Sequence, residues 1–204
     1  MISVVIVDDH HAVRLGLHAA LTSEPGVAPV GAAASAAELA PLLYRCRPDV
    51  VVLDYNLPDA DGLKVCRDVK ATVPAPAVIV YSAFADDAMT IPAIVAGADG
   101  ILDKGVPARE LFTAIHAVVA GHKALPPVTR DQLLAAGAVL DAEDLPVLSM
   151  LVEGTSPRAI AEALRLDDRT LHRRTGRILG ALTGSVSISP RAPSSAAERG
   201  PAAS

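Results

Sequence analysis

Short apolar runs alternate with longer amphipathic segments through the first 122 residues of the chain. The apolar runs have the length of β-strands and cover residues 2–7, 28–33, 50–53, 77–80 and 101–102. The segments between them have apolar residues at helical spacing and cover residues 12–23, 35–45, 62–71, 86–96 and 108–121. Strands that alternate with helices predict an α/β fold, with a doubly wound, five-stranded parallel sheet covered by helices on both faces.

The strand pattern ends near residue 140, and a small all-α part is predicted beyond it. Its helical segments cover residues 141–152, 157–164 and 168–182. Residues 185–204 are rich in Ser, Ala and Pro without any period, which is typical of disorder. The predicted organisation is a domain at 1–122, a linker with some helix at 123–138, a helical domain at 139–184 and a disordered tail at 185–204.

Local signals refine some of these helices. Ser35 followed by Glu38 predicts a capping box at the start of the second helix. Pro92 and Pro146 lie inside two of the predicted helices, where a proline removes a backbone hydrogen bond and clashes with the preceding turn. We therefore expect Pro92 to break or kink its helix and Pro146 to interrupt the first helix of the second domain.

Polar residues follow four of the predicted strands near the point where each strand ends. They are Asp8, Asp9, Asp54, Ser82 and Lys104. Because the carboxyl ends of parallel strands meet at one edge of a sheet, these side chains should share one crevice. Three carboxylates repel one another unless a cation joins them, and Mg²⁺ prefers oxygen ligands. The chemistry that this arrangement predicts is phosphoryl transfer to a carboxylate.

Composition narrows the class of protein. Hydrophobic residues make up 51% of the 204 residues but aromatic residues only 2%, so Ala, Val, Leu and Ile must fill the core. The formal net charge of −5 argues against nucleic-acid binding by the chain as a whole, so any DNA-binding face must be local. Cys46 and Cys66 lack metal-ligand spacing and are interpreted as reduced thiols. Without a signal-peptide pattern or a membrane-spanning run, a cytoplasmic protein with no membrane partner is expected.

Four motifs occur in order through the first domain: Val7-Asp8-Asp9-His10, residues 54–62, Ser82-Ala83 and residues 97–104. Each motif alone is a weak signal, but together they cover the domain with the spacing of one family. The domain resembles a two-component response-regulator receiver, which has a flavodoxin-like fold.

The resemblance implies a role for each polar residue of the crevice. Asp54 would accept the phosphoryl group, Lys104 would pair with the carboxylate or phosphoryl group, and Ser82 would hydrogen-bond a phosphoryl oxygen. The residues implied to hold Mg²⁺ are Asp8, Asp9, Asp54 and, through its backbone carbonyl, Asn56. One position departs from the family. An aromatic residue is usual three residues before the lysine, and Ile101 stands there in this chain.

A second pattern covers residues 140–143, 147–161, 164, 168–174 and 178–179, and in it Ser156 and Pro157 form a typical helix start. This stretch resembles the LuxR-type helix-turn-helix that follows receivers of the NarL/FixJ subfamily. Its last helix would be the recognition helix, with its early residues in the major groove of DNA. The residues implied to contact DNA are Arg169, Thr170, His172, Arg173, Arg174 and Arg177.

This second domain departs further from its family. Gly176 takes a position that is usually Ser, which should weaken the recognition helix by about 1 kcal/mol relative to Ala. Seven acidic residues between 141 and 168 also oppose the arginines. DNA affinity is therefore expected to be modest or to depend on a dimer.

The two resemblances together predict a cytoplasmic response regulator, not an enzyme, that is phosphorylated by a sensor histidine kinase and controls transcription. Its expected partners are the kinase, double-stranded DNA and, when active, a second copy of the chain. Two alternatives remain open. Ile101 favours an atypical regulator that works without phosphorylation. Gly176 favours a receiver-based protein-interaction module with a degenerate helix-turn-helix.

Overall fold

The computed structural model describes residues 1–83, 85 and 87–185 of the chain. Its strands are β1 Ile2–Val7, β2 Val27–Ala33, β3 Val50–Asp54, β4 Ala77–Ser82 and β5 Gly100–Asp103. They form one parallel sheet in the spatial order β2-β1-β3-β4-β5. This order reverses direction at β1, and the connecting helices cover both faces of the sheet. The predicted doubly wound five-stranded sheet is confirmed.

The helices between the strands have bounds close to those predicted. They are α1 His11–Ser23, α2 Ala36–Cys46, α3 Gly62–Lys70, α4 Thr90–Ala96 and α5 Ala108–Val119, with a 3₁₀ helix at Asp87–Met89 before α4. Beyond the sheet lie α6 Arg130–Ala138, α7 Leu145–Val152, α8 Pro157–Leu164 and α9 Asp168–Ser185. Helix α9 therefore extends to the first residue of the predicted tail, and the rest of that tail lies outside the described residues. No helix within the described ranges is long and apolar enough to cross a bilayer.

Each face of the sheet carries its own hydrophobic core. On one face, Val52 of β3 packs in a cluster with Leu21 of α1 and Ile115 of α5. On the other face, Val51 and Leu53 pack in the cluster that includes α2, α3 and α4. Successive side chains of a strand point to opposite faces, so a strand covered on both sides must be apolar throughout. This is why the strands read as continuous apolar runs.

The signals at helix ends act in slightly different ways from those predicted. Ser35 caps α2, because its Oγ accepts a hydrogen bond of 3.2 Å from the backbone N–H of Glu38. The carboxylate of Glu38, however, accepts from the N–H of Ala34 at 2.7 Å, one residue earlier than a capping box requires.

The expectations for Pro92 and Pro146 were wrong. Helix α4 begins at Thr90, so Pro92 lies in its first turn, where no backbone N–H has an intrahelical acceptor to lose. Helix α7 likewise begins at Leu145, with Pro146 in its first turn. Both prolines lie in the first turn of a helix that is shorter than the predicted one. A proline in a helix interior occurs instead at Pro41 in α2.

The second domain packs on α4 of the first. Six of the seven residues of α4 are buried, since the helix lies between the sheet and helices α6, α7 and α9. The core on that face of the sheet continues from Ile91 of α4 into Leu148 of α7 and Leu182 of α9. The side-chain amide of Gln132 on α6 also donates a 2.7 Å hydrogen bond to the backbone oxygen of Asp87. A helix that is apolar on all sides belongs in an interior, and here that interior is shared by the two domains.

Candidate functional site

Two carboxylates and an ammonium group meet at the carboxyl edge of the sheet. Asp8 follows β1 and Asp54 ends β3, and these residues are only 1% and 3% exposed. Lys104 follows β5 and joins them, with its Nζ 2.6 Å from Asp8 Oδ2 and 2.8 Å from Asp54 Oδ2. The sequence placed these residues at the ends of three different strands, and the strand order brings them together.

The charge of this pocket is only partly balanced. Burial raises the pKa of Asp54 above its ordinary range, and the hydrogen bond and charge of Lys104 only partly oppose that rise. Burial alone would lower the pKa of Lys104, but its hydrogen bonds to Asp54 and Asp8 outweigh this effect and raise it. Lys104 therefore stays charged, and one ammonium faces two buried carboxylates. A further cation would stabilise the ionised form of the pocket.

The donor set suits a divalent cation. Ligand atoms of Asp8, Asp9, His10 and Asp54 all lie within 4.8 Å of one another. Asp9 is more exposed than the other two carboxylates and lies on the solvent side, with His10 Nδ1 at 2.5 Å from its Oδ1. Carboxylate oxygens are the ligands that Mg²⁺ prefers. Asn56 lies beside them, and its backbone N–H donates a 3.3 Å hydrogen bond to Asp54 Oδ1.

The loop after β1 is ordered by contacts that sequence reasoning missed. Arg14 of α1 donates from Nη1 to the backbone oxygens of Asp8 at 2.7 Å and Asp9 at 2.9 Å. The N–H of His10 donates to Asp8 Oδ1 at 2.8 Å. His10 belongs to the first sequence motif, but the sequence does not predict this contact. Arg14 lies in the first turn of α1 and belongs to no sequence motif, so only the folded loop identifies its role.

Ser82 and Tyr81 line the β4 side of the pocket. Ser82 is buried at the end of β4, and its backbone oxygen accepts a 2.8 Å hydrogen bond from the N–H of Lys104. The hydroxyl of Tyr81 donates to the backbone oxygen of Lys104 at 3.3 Å, and burial raises the pKa of this phenol. Tyr81 thus packs in the core and also holds the backbone of Lys104 in place. Ile101 is buried in the core of β5, beneath the pocket edge.

The loop that follows Asp54 depends on Gly62. The N–H of Gly62 donates to the backbone oxygen of Tyr55 at 2.8 Å. A methyl group on Gly62 would overlap the backbone oxygen of Asp54 and lie 2.7 Å from Tyr55 Cα. The close approach therefore requires glycine, and it fixes the path of the chain directly after Asp54.

Two further acidic residues of this loop have structural contacts. Asp61 caps α3 through its Oδ1, which accepts from the N–H groups of Leu63 at 2.8 Å and Lys64 at 3.2 Å. Asp59 accepts from the N–H groups at the start of α2, at 3.0 Å each, and these bonds lower the pKa of its carboxyl. Both carboxylates hold the loop between neighbouring helices.

Helix α9 divides the predicted DNA contacts into two sets. Arg169, His172 and Arg173 are exposed and Thr170 is half-buried near its start, where Asp167 Oδ1 accepts from the N–H of Thr170 at 2.6 Å. The other two, Arg174 and Arg177, face the start of α7 and make ion pairs inside the domain.

The pair between Arg177 and Asp144 holds α9 against α7. Arg177 donates from Nε to Asp144 Oδ2 at 2.8 Å and from Nη2 to Asp144 Oδ1 at 2.7 Å. Asp144 is 1% exposed, so the two-pronged contact satisfies a buried carboxylate. Arg174 donates to the backbone oxygen of Glu143 at 2.9 Å. The structure gives these two arginines a scaffold role that the sequence pattern did not predict, and contact of either with DNA stays a prediction.

Known proteins resemble this chain in sequence and in fold. The family profile of the response regulator receiver domain matches residues 4–116. The DNA-binding transcriptional activator DevR/DosR of Mycobacterium tuberculosis is 33% identical over 192 residues, which cover 89% of this chain and 88% of the relative. The crystal structure of a LuxR-family two-component response regulator from Aurantimonas sp. SI85-9A1 is 31% identical with a TM-score of 0.58, over 67% of this chain and 97% of that one. The response regulator ChrA of a heme-sensing two-component system is 26% identical with a TM-score of 0.53, over 90% and 97%.

Proposed function

The chain belongs to the response regulators, and from this membership we propose that phosphorylation of Asp54 by a sensor histidine kinase controls its binding to DNA. The protein would work in the cytoplasm, where both partners are found, as a transcription regulator and not as an enzyme. We propose the receiver at residues 1–122, the linker at 123–138 and the DNA-binding domain at 139–184. The observation that carries the proposal is the buried pair of Asp8 and Asp54, joined by Lys104 and short of positive charge.

The transfer is a displacement at phosphorus. A carboxylate oxygen of Asp54 attacks the phosphoryl group of a phosphohistidine, the new P–O bond forms as the P–N bond breaks, and the imidazole leaves. Lys104 pairs with a phosphoryl oxygen once Asp54 has become an acyl phosphate, and the Ser82 hydroxyl hydrogen-bonds another. Asp8, Asp9, Asp54 and the carbonyl of Asn56 would hold Mg²⁺, which neutralises charge on the carboxylates and the phosphoryl oxygens when it is bound.

Output requires the second domain to leave the receiver. Helix α9 packs on α4 in this structure, and one hydrophobic core runs through both domains. Phosphorylation would favour a form in which α9 is free to enter the major groove and two copies bind two half-sites. Arg169, Thr170, His172 and Arg173 are the proposed DNA contacts, because Arg174 and Arg177 are already paired.

A protein-interaction module is the second candidate. It is favoured by the ion pairs of Arg174 and Arg177, which leave α9 with fewer arginines free to contact phosphates. An atypical regulator that needs no phosphorylation is the third, and the aliphatic Ile101 favours it.

The test is labelling of the full chain by a small phosphodonor. We expect Mg²⁺-dependent labelling of the wild type and none of Asp54→Asn. The matched control is Asp59→Asn in the same loop, whose amide oxygen can still accept from α2, and it should be labelled like the wild type. An unlabelled wild type would favour the atypical regulator. A chain that is labelled but does not bind a random-sequence duplex, even at low salt, would favour the interaction module.

A further inference from the structure

Arg14 holds the main chain of the loop after β1 and not its carboxylates. Its Nη1 donates to the backbone oxygens of Asp8 at 2.7 Å and Asp9 at 2.9 Å. Both distances are in the range of charge-assisted hydrogen bonds. In the described part of the chain Arg14 makes no ion pair with either carboxylate, although each carboxylate has other cationic neighbours. A charged side chain is therefore placed here to bind main-chain oxygens.

The position of Arg14 in α1 explains how it reaches this loop. Arg14 lies in the first turn of the helix, where its backbone N–H donates to the backbone oxygen of His10 at 3.1 Å. The Cα–Cβ bonds of a helix tilt toward its N-terminus. A long side chain in the first turn therefore lies back over the preceding loop. The other end of the guanidinium, Nη2, is 3.4 Å from His11 Nδ1.

The two hydrogen bonds restrain the peptide units on both sides of Asp9. A peptide unit is planar, so a bond to its oxygen limits the rotation of the whole unit. The unit with the oxygen of Asp8 ends at the nitrogen of Asp9, and the next unit carries the oxygen of Asp9 itself. Together they restrain φ and ψ of Asp9. These two angles decide the direction in which its side chain leaves the backbone.

Asp9 depends on this restraint more than Asp8 does. Asp8 is 1% exposed, its N–H donates to the oxygen of Ala33 at 3.1 Å, and its Oδ2 meets Lys104 Nζ. The side chain of Asp9 is 37% exposed, and the imidazole that it meets, that of His10, is itself 69% exposed. The orientation of the Asp9 carboxylate therefore rests mainly on its backbone.

Two effects of Arg14 on a bound cation have opposite signs. Its positive charge, near the pocket, would by itself weaken the binding of a divalent cation. Its hold on the loop would strengthen binding, because contacts that orient a metal ligand typically change metal affinity by roughly 10- to 100-fold. The sign of the change when Arg14 is replaced therefore tells which effect is larger.

We propose that Arg14 is a positioning residue for the divalent-cation site, and that it acts by fixing the backbone on both sides of Asp9. This inference rests on the part of the proposed function that places Mg²⁺ in the pocket. It does not depend on the kinase or on DNA binding.

The experiment measures Mg²⁺ binding by the full, unphosphorylated chain, from amide NMR shifts during a titration with Mg²⁺ alone. Arg14→Met removes the donors and the charge, and we expect it to weaken Mg²⁺ binding by roughly 10- to 100-fold. The matched control is Arg109→Met, which removes an exposed charge from the first turn of α5; the Arg109 side chain makes no hydrogen bond or ion pair within the described ranges. The control should bind Mg²⁺ at least as tightly as the wild type. Affinity of folded Arg14→Met at or above the wild-type value overturns the proposal.

Arg14→Lys separates position from charge, and urea unfolding checks that each variant is folded. Lysine keeps the charge, but its ammonium is one bond closer to the backbone and cannot reach both oxygens in the same way. We expect weaker Mg²⁺ binding than in the wild type and stronger binding than in Arg14→Met. Wild-type affinity of Arg14→Lys also overturns the proposal.

A double-mutant cycle tests whether the effect passes through Asp9. Asp9→Asn should itself weaken Mg²⁺ binding, and adding Arg14→Met to it should cost a smaller factor than in the wild type. An equal factor in both backgrounds overturns the route through Asp9. A wild type that binds no Mg²⁺ overturns this inference together with the proposed metal site. Normal Mg²⁺ binding and labelling of the wild type with an unchanged Arg14→Met counts against the role of Arg14 alone.

Discussion

The acceptor pocket and helix α9 differ in how fully their charged side chains are paired. The pocket is formed by Asp8, Asp9, Asp54, Ser82 and Lys104. In the pocket, buried carboxylates outnumber the single ammonium, and the pKa of Asp54 is raised by burial because its charge is not fully compensated. In α9, two cations are paired with acidic groups at the start of α7, and the helix packs on α4 of the receiver. The pocket is thus short of positive charge, as the proposed binding of a cation requires. Helix α9 has part of its positive charge compensated within its own domain.

The largest effect on the acceptor pocket is expected from a substitution of Gly62. Gly62→Ala pushes a methyl group into the backbone of Asp54 and Tyr55, which cannot move aside as a flexible side chain could. We expect a loss of about 1–3 kcal/mol in the free energy of unfolding and no phosphodonor labelling. Urea unfolding and labelling of the full chain measure these two effects.

Gly16→Ala is the control for that change. Gly16 lies inside α1 with no atom within 4 Å of an added methyl group, so alanine there should leave labelling intact and stabilise the chain by up to about 1 kcal/mol. Normal labelling of Gly62→Ala would show that the loop after Asp54 tolerates another path.

The next largest effect is expected from Asp144, whose ion pair with Arg177 holds α9 against α7. Asp144→Asn removes the charge that meets Arg177 Nε and Nη2 in a buried position, and we expect a loss of about 2 kcal/mol in the free energy of unfolding. Glu143→Gln removes an exposed partner of the same arginine and should cost less than about 1 kcal/mol. Thermal unfolding of the two variants side by side measures the difference. Equal losses would mean that burial of Asp144 does not strengthen the pair.

The smallest effect is expected on DNA binding, when an unpaired arginine of α9 is compared with a paired arginine elsewhere. Arg173 is exposed on α9 and has no ion pair among the described residues. Arg173→Ala in the phosphorylated chain should weaken DNA binding and lower the salt slope of the binding constant by about 1. Arg158→Ala on α8, where the arginine pairs with Glu162, is the control and should keep the slope. An unchanged slope for Arg173→Ala would remove this residue from the DNA contacts.

The composition of the pocket was predictable because topology alone brings strand ends together. Once residues 2–7, 50–53, 77–80 and 101–102 are read as parallel strands, the residues that follow them must meet at one edge. His10 and Arg14 were not assigned, because their contacts depend on the turn that the chain takes after β1. The effects of Pro92 and Pro146 were also not predictable, because a proline's effect depends on whether it lies in the first turn or the interior.

By itself, the sequence determined the five strands, the order of helices and strands, and the residue types at the carboxyl edge, because hydrophobic periodicity and polar strand ends are local in the chain. Only the tertiary structure decided how the second domain lies on α4 and how Arg177 meets Asp144. No period or motif relates two residues so far apart in the chain. Packing is a property of the surfaces that meet, so it is decided only when residues distant in the chain have been brought together.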